Sequence, residues 1–220
     1  MRNLNLILLI AIIFFSTFSY SIESKNKINS VVAIFSDDGF GSGVLISKDG
    51  FILSNWHVIE GSKQLEVLLA QDKHAEVFRK VKVIKFDKSK DLVLLKIIDA
   101  PANLNFLSIS ANYPKVGDEV HAFGHPEGEL WSYSKGYLSA HRHNYTAKFI
   151  NNVDKNIEES FDLFQGDVYQ TQTPIFPGNS GGPLLNKFGN LIGINTFTNH
   201  GSSLMSFSIT NEEIIKFLIN

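Results

Sequence analysis

The chain has 220 residues, of which 44% are hydrophobic, and a formal net charge of −2 at neutral pH. That length and apolar content allow one sizeable core or two small ones, and the charge balance provides no basic surface for nucleic acid. The sequence contains no cysteine, which excludes disulfides, a cysteine nucleophile and metal bound through thiolates. We expect no nucleic-acid partner and no cofactor.

Residues 1–21 have the pattern of a secretory signal peptide. Arg2 precedes the apolar stretch Leu4–Phe15, and Ser19 and Ser21 are small residues at the −3 and −1 positions of a cleavage site. An uncleaved membrane anchor is the alternative, although the apolar run is shorter than the ~20 residues of a spanning helix. We expect the body of the protein, beginning at Ile22, to be exported to a periplasm or secreted, without stable membrane insertion.

From Val31 onward, short apolar runs alternate with turn-forming residues. This pattern is typical of an all-β protein. A first set of strands is predicted at Val31–Phe35, Val44–Ile46, Phe51–Ser54, Gln64–Leu69, Phe78–Phe86 and Leu92–Ile98. The polar stretch Pro101–Pro114 leads to a second set. The second set is predicted at Glu119–Phe123, Ser132–Ala140, Val168–Thr173, Gly182–Leu185, Leu191–Thr198 and Leu204–Ile209.

The end of the chain has a helical pattern instead. Thr210 and Glu213 have the spacing of a capping box, and the apolar residues after them fall on one helical face. The sequence therefore predicts a terminal helix over Asn211–Ile219, packed on the second set of strands.

Two polar residues of the first set are candidates for chemistry. His57 follows the third predicted strand on a loop, where functional side chains are common, although an isolated histidine beside a tryptophan commonly belongs to a core. Asp91 precedes the last apolar run of the set, and a carboxylate that enters a buried strand needs a hydrogen-bonding partner. His57 is the expected partner, and a surface ion pair with Lys88 or Lys90 is the alternative.

The most specific stretch reads TPIFPGNSGGPLL, over Thr173–Leu185. Ser180 lies among Gly178, Gly181 and Gly182, and glycines permit a tight turn that presents the serine. The same turn can direct the backbone N–H groups of Gly178 and Ser180 at one point, as an oxyanion hole requires. A glycine-rich loop without chemistry is the alternative.

Ser180, His57 and Asp91 together supply a nucleophile, a base and an orienting carboxylate. Their chain order, His before Asp before Ser, is that of chymotrypsin. From about Val31 to Ile209 the chain resembles a trypsin-like serine peptidase, nearest to the HtrA/Deg type. The resemblance lies in the stretches GNSGGPLLN, LIGINT, DLVLLKI and VGDEVHAFGHPEG.

The resemblance implies two six-stranded antiparallel Greek-key β-barrels with the active site in the cleft between them. The first barrel, residues 22–112, would carry His57 and Asp91, and the second, residues 113–220, would carry Ser180 and the oxyanion hole. Asn179 stands where zymogens of this class have an aspartate, so we expect no activating cleavage beyond signal removal. HtrA-type chains usually continue into a PDZ module, which we do not expect in this chain.

The resemblance also implies a primary specificity pocket. Its predicted residues are Thr173, Pro174, Ile175 and Phe176 before the serine, Asn195, Thr196 and Phe197 on an edge strand, and the wall Ser206, Phe207 and Ser208. No carboxylate is present to hold arginine or lysine, and Ile194 stands near the place of the histidine found in glutamate-specific relatives. We expect a shallow apolar pocket, with the edge strand pairing with the substrate backbone.

Other histidines and one long segment remain. His121 with His125, and His141 with His143, suggest metal ligands, but no glutamate or cysteine lies at a zinc-motif spacing from them. We therefore predict no metal site and assign His125 to a turn.

The polar segment Asn144–Gln165 is predicted to be a loop, and in HtrA-like enzymes the corresponding loop controls the oxyanion hole.

The favoured function is an exported serine endopeptidase that acts on polypeptides through an acyl-enzyme, on unfolded or exposed segments with small or medium apolar residues before the cut. The alternative is a catalytically silent binding protein that keeps the double-barrel fold. An esterase is chemically allowed, but esterases with this triad usually carry GxSxG on an α/β sheet.

Overall fold

A computed structural model describes residues 27–37, 39–70, 79–148, 163–198 and 205–220. The predicted signal peptide, His74 and His200 lie outside these residues. The first six strands are β1 Val31–Ser36, β2 Phe40–Leu45, β3 Phe51–Ser54, β4 Leu65–Leu69, β5 Arg79–Asp87 and β6 Leu92–Ile97. The next six are β7 Glu119–Gly124, β8 Ser132–Lys148, β9 Leu163–Thr171, β10 Pro183–Asn186, β11 Leu191–Thr198 and β12 Ser206–Thr210.

Each set of six strands closes into an antiparallel barrel. The order is β1-β2-β3-β6-β5-β4 in the first barrel and β10-β11-β12-β9-β8-β7 in the second. The first barrel encloses a core that includes Ile34, Ile52 and Leu95, because alternate residues of a strand point to the same face. The predicted all-β architecture of two six-stranded barrels is confirmed.

Apolar residues also join the two barrels. A separate buried cluster contains Val44 and Leu53 from the first barrel together with Phe123, Leu185 and Ile209 from the second. These residues lie on strand faces that point away from each barrel's own interior. The shared cluster fixes one barrel against the other, so loops at the barrel junction can hold side chains from both in register.

The terminal helix α1 spans Asn211–Ile219, as predicted. Its N-cap is Thr210, whose hydroxyl oxygen accepts a hydrogen bond from the N–H of Glu213 at 3.3 Å. Ile214 and Phe217 are buried against the strands. In the described parts of the chain, no helix combines the length and apolar character needed to cross a bilayer.

The predicted loop Asn144–Gln165 is wrong at both of its ends. β8 continues to Lys148 and β9 begins at Leu163, and Tyr145 pairs with Gly166 across the two strands. Tyr145 packs against the buried cluster shared by the barrels, which explains why the strand continues through a polar sequence. Residues 149–162, the middle of the predicted loop, lie outside the described residues.

Candidate active site

The loop after β3 places His57 beside Asp91, whose side chain is 2% exposed. Nδ1 of His57 donates to Oδ2 of Asp91 at 2.8 Å, and the backbone N–H of His57 donates to Oδ1 at 2.9 Å. The hydroxyl of Thr196 also donates to Oδ2, at 2.7 Å. Since a carboxylate only accepts, Nδ1 of His57 carries the proton and Nε2 remains as the basic nitrogen.

The backbone of Asp91 holds the two loops together. Its carbonyl oxygen accepts from the N–H of Trp56 at 3.3 Å and from Nδ2 of Asn55 at 2.9 Å. Asp91 has a φ of 50°, in the left-handed region that aspartate and asparagine tolerate better than most residues. This turn directs the side chain toward His57, and no local pattern predicted the contribution of Asn55.

The alternative prediction, a surface ion pair of Asp91 with Lys88 or Lys90, is wrong. Lys88 pairs with Glu60 at 3.1 Å, and Lys90 pairs with Glu213 of α1 at 3.1 Å. Both lysines therefore have other carboxylate partners, and the Asp91 carboxylate is buried among the donors described above.

Ser180 lies on the turn before β10, and Thr196 connects it to the Asp91 carboxylate. Ser180 Oγ donates to the carbonyl oxygen of Thr196 at 3.0 Å, while the Thr196 side chain donates to Asp91. The β11–β12 register shifts between Asn195 and Phe197, which leaves Thr196 at an irregularity of the kind common next to active sites. The structure thus brings all three predicted catalytic residues into one site.

The turn also fixes the two predicted oxyanion-hole donors. The carbonyl of Pro177 accepts from the N–H of Glu127 at 2.7 Å, and the carbonyl of Asn179 accepts from the N–H of Gly182 at 3.0 Å. Because C=O and N–H of a trans peptide point in opposite directions, the N–H groups of Gly178 and Ser180 face away from these partners. Within the described chain, no protein acceptor is seen for either N–H.

A serine of the first barrel clamps this turn. Ser42 Oγ donates to the carbonyl of Gly178 at 2.6 Å, and its N–H donates to the carbonyl of Ser180 at 2.8 Å. Gly181 has a φ of 85°, and a Cβ there would overlap the carbonyl of Ser42 and the hydroxyl of Ser54. Only glycine allows this approach. Ser42 and Ser54 were not among the predicted residues, since no local pattern distinguishes them from other strand serines.

His125 supports the turn from the opposite side. It is fully buried, its Nδ1 accepts from the N–H of Trp131 at 3.1 Å, and its carbonyl lies where a Cβ on Gly178 would be. Burial lowers the pKa of His125 to about 4. The prediction that His125 only forms a turn is therefore incomplete. Its side chain is buried and neutral, and its carbonyl packs against Gly178, one of the two predicted oxyanion-hole donors.

The buried, neutral His125 should make the protein sensitive to acid. Below the ordinary histidine pKa of 6.5, the unfolded chain takes up a proton that the folded chain excludes, so unfolding becomes easier as the pH falls toward about 4. We expect His125 to account for about 2 kcal/mol of the unfolding free energy lost between pH 7 and pH 5. Urea unfolding of His125→Asn, compared with its parent at both pH values, measures this difference. Equal losses in the two proteins would contradict it.

As the predicted base, His57 should set the pH range of activity through its pKa. Burial lowers this pKa, but the charge and hydrogen bond of Asp91 and the more distant charge of Glu60 outweigh it, so the pKa lies above 6.5. The protonated imidazole cannot accept the serine proton.

We expect kcat/KM on an uncharged peptide to rise with pH through an apparent pKa above 6.5. Removal of the Glu60 charge in Glu60→Gln should move this midpoint to lower pH. The matched control, Glu66→Gln on β4, should leave the midpoint unchanged. A profile that is flat from pH 5 to pH 9, in a protein that stays folded, would contradict the assignment of His57 as the base.

The predicted pocket residues differ in their exposure to solvent. Phe176 is 44% exposed, while Thr173, Ile175, Asn195 and Thr196 are buried. The amide of Asn195 donates to the carbonyl of Pro183 at 3.3 Å and accepts from the Ser208 hydroxyl at 2.9 Å. Asn195 therefore belongs to the packing of the second barrel.

Phe207 differs from the two serines that flank it on β12. Its ring stacks on Phe197 at 5.0 Å and on Tyr145 at 5.1 Å, so it belongs to an aromatic cluster. Ser206 and Ser208 point to the other face, since residues alternate along a strand. Ser206 Oγ is buried without a hydrogen-bond partner among the described residues. The wall predicted as Ser206–Ser208 thus presents hydroxyls on one face and an aromatic ring on the other.

Residues 41–194 match the family described as trypsin-like peptidase domain, and this range contains His57, Asp91 and Ser180. Protease Do-like 1, chloroplastic, from Arabidopsis thaliana is 38% identical over 160 residues, which are 72% of this chain and 33% of that protein. A probable periplasmic serine endoprotease DegP-like from Pseudomonas savastanoi is 37% identical over 172 residues, covering 77% of this chain and 32% of that protein. The chain spans about a third of the length of these curated relatives.

The solved structures give the same picture for the fold. The crystal structure of the serine endoprotease from Yersinia pestis superimposes with a TM-score of 0.69 at 28% identity, covering 88% of this chain and 65% of that one. The match covers both barrels of the chain.

Proposed function

Because the chain belongs to the trypsin-like peptidase family, we propose that it is an exported serine endopeptidase. Ser180 acts as the nucleophile, His57 as the general acid and base, and Asp91 as the carboxylate that orients the imidazole. The observation that carries the proposal is the network in which the buried Asp91 carboxylate binds both His57 and the Thr196 hydroxyl, while the carbonyl of the same Thr196 holds the hydroxyl of Ser180. A silent binding protein of the same fold would have no use for this network.

The reaction proceeds in two stages. The hydroxyl of Ser180 turns from the carbonyl of Thr196 toward Nε2 of His57, which takes its proton as the oxygen attacks the peptide carbonyl. The N–H groups of Gly178 and Ser180 bind the oxyanion, and each such donor is worth about 100-fold to 1000-fold in rate. His57 then gives the proton to the leaving amine, and a water molecule hydrolyses the acyl-enzyme by the same steps.

We propose that the substrates are unfolded or exposed segments cut after Ala, Val, Ile or Leu. An extended segment is needed because the strand pairs with the substrate backbone. Of the predicted residues Asn195–Phe197, this role falls to Thr196 and Phe197, since the backbone N–H and carbonyl of Asn195 are bonded to Gly182 and Gly181. Among the predicted pocket residues none is a carboxylate, so a buried arginine or lysine would lack a partner, at a cost of several kcal/mol. The hydroxyl of Ser206 keeps the pocket shallow.

We expect the enzyme to cut a reduced, carboxymethylated protein at many sites and to leave the same protein in its folded form intact. Mass spectrometry of the products identifies the residue before each cut, and Ser180→Ala is the matched inactive control. A profile dominated by Arg, Lys, Asp or Glu would contradict the pocket assignment. No cutting of the unfolded protein by a folded enzyme would contradict the peptidase proposal and favour the silent binding protein.

We extend the proposal to the domain boundaries and to the export of the chain. The signal peptide is residues 1–21, the first barrel domain is 22–112, and the second is 113–220. The name of the Pseudomonas savastanoi relative places that protein in the periplasm, which supports export of this chain to a periplasm or out of the cell. Mass spectrometry of the exported protein should find its first residue at or near Ile22.

A further inference from the structure

Two histidines and a carboxylate meet on the β8–β9 pair, outside the hydrogen-bond network of Ser180. Nδ1 of His143 lies 2.8 Å from Oδ2 of Asp167, and Nε2 of His141 lies 3.8 Å from the same oxygen. The two imidazole rings are 4.0 Å apart between centroids. One candidate ligand atom from each of the three residues falls within 4.8 Å of the others.

The irregular pairing of β8 with β9 creates this arrangement. The register shifts between Arg142 and Tyr145, and at the shift Asn144 has a φ of 49°. The N–H of Asn144 donates to Oδ1 of Asp167 at 2.9 Å. Such a bulge re-aims neighbouring side chains, and here it fixes one carboxylate oxygen while the other faces the two imidazoles.

The strand also separates the cluster from a nearby positive charge. Arg142 lies between His141 and His143 in the chain, but its guanidinium donates to Oε1 of Gln170 at 2.9 Å. Because successive residues point to opposite faces of a strand, the arginine does not occupy the space between the histidines and Asp167.

One ring nitrogen of the cluster is left without a partner. Nε2 of His141 is buried and has no hydrogen-bond partner among the described residues, while it lies 3.8 Å from Oδ2 of Asp167. A neutral imidazole nitrogen with a free lone pair is the commonest metal ligand in proteins, so this nitrogen is available to an ion placed beside Asp167.

We propose that His141, His143 and Asp167 bind a divalent transition-metal ion, with Zn²⁺ as the fitting occupant. Zinc–ligand bonds of about 2.0–2.2 Å in tetrahedral geometry place ligand atoms about 3.3 Å apart, and the observed separations of 2.8 and 3.8 Å lie on either side of that value. The ion replaces the proton shared by His143 and Asp167. Two imidazoles with one carboxylate favour zinc over calcium or magnesium, and the fourth position takes a water molecule.

The side chain of His143 is 65% exposed, so it can rotate to complete the ligand set. A bound ion would cross-link β8 to β9 in the second barrel.

Titration calorimetry with Zn²⁺ tests the site directly. The protein is the full chain carrying Ser180→Ala, which prevents self-cleavage, after treatment with a chelator. We expect one zinc ion per chain, with affinity at least tenfold weaker in both His143→Gln and Asp167→Asn. His121→Gln is the matched control and should bind zinc like the parent. His121 is also a strand histidine beside a glutamate, but among the described residues no second imidazole joins it in a three-ligand group.

Replacement of zinc by Co²⁺ gives a second readout. A tetrahedral site with nitrogen ligands should give visible absorption that disappears on addition of equimolar Zn²⁺, and the His143→Gln variant should lose it. His143 is exposed enough that this variant should fold, which circular dichroism checks. The absence of saturable zinc binding by the parent, or binding that His143→Gln and Asp167→Asn leave unchanged, would overturn the proposal.

Discussion

Ser180→Ala is expected to lower kcat on a fluorogenic peptide by about 10⁶-fold, because no other group can form the acyl-enzyme. The residual rate should stay ~10³-fold to 10⁴-fold above the uncatalysed reaction, since the oxyanion N–H groups and substrate binding are retained. The fold should not change, because the Ser180 hydroxyl makes one hydrogen bond, to the carbonyl of Thr196.

The matched control for this change is Ser89→Ala. The hydroxyl of Ser89 donates to Asp87 at the surface, so its removal should leave kcat and KM unchanged. If Ser180→Ala kept more than a hundredth of the parent activity, Ser180 would not be the nucleophile. Unfolding curves of both variants establish that each is compared in its folded state.

Asp91→Asn is expected to lower kcat by about 10⁴-fold. The asparagine amide can turn its NH₂ group toward Nδ1 of His57, which then has to accept instead of donate, so the proton moves to Nε2 and the base is lost. Asparagine tolerates the positive φ of this position. The N–H of His57 can still donate to the amide oxygen at the place of Oδ1, and the Thr196 hydroxyl, which faces the place of Oδ2, can turn to accept from the NH₂ group. The loss should therefore come from the wrong tautomer and not from unfolding.

Asp99→Asn is the matched control for this second change, because Asp99 is also an aspartate with positive φ, at 55°, outside the site. It should retain the parent kinetics. Steady-state kinetics at the pH optimum of each variant makes the comparison. A loss of less than tenfold in Asp91→Asn would mean that Asp91 does not orient the base.

Local patterns predicted the strands with strong apolar runs and the helix. β3, β11 and α1 have the predicted bounds, since a continuous or periodic apolar run is visible without tertiary information. β2 was predicted from Val44 but begins at Phe40, because Gly41 and Gly43 interrupt the apolar pattern. A Cβ at Gly43 would lie 2.7 Å from Ile52, so packing against another strand explains glycines that the local sequence does not.

The residues of the site were likewise predictable only where a local pattern marks them. Ser180, His57 and Asp91 could be predicted because each lies in a recognisable stretch, and a triad needs those residue types. Thr196 was placed on the substrate strand, and its bond to Asp91 spans 105 positions of the chain. His143 and Asp167 are 24 positions apart and meet through strand pairing. Contacts of this kind depend on register, which an irregular strand does not reveal.

Labelling with a fluorophosphonate probe, followed by peptide mapping, tests the central claim most directly. The probe bonds covalently to a serine that a neighbouring base activates. We expect one adduct per chain, on Ser180, none in Ser180→Ala, and strongly slowed labelling in Asp91→Asn. A folded parent protein that takes up no label, or that carries it on a different serine, would contradict the assignment of Ser180, His57 and Asp91 as the catalytic residues.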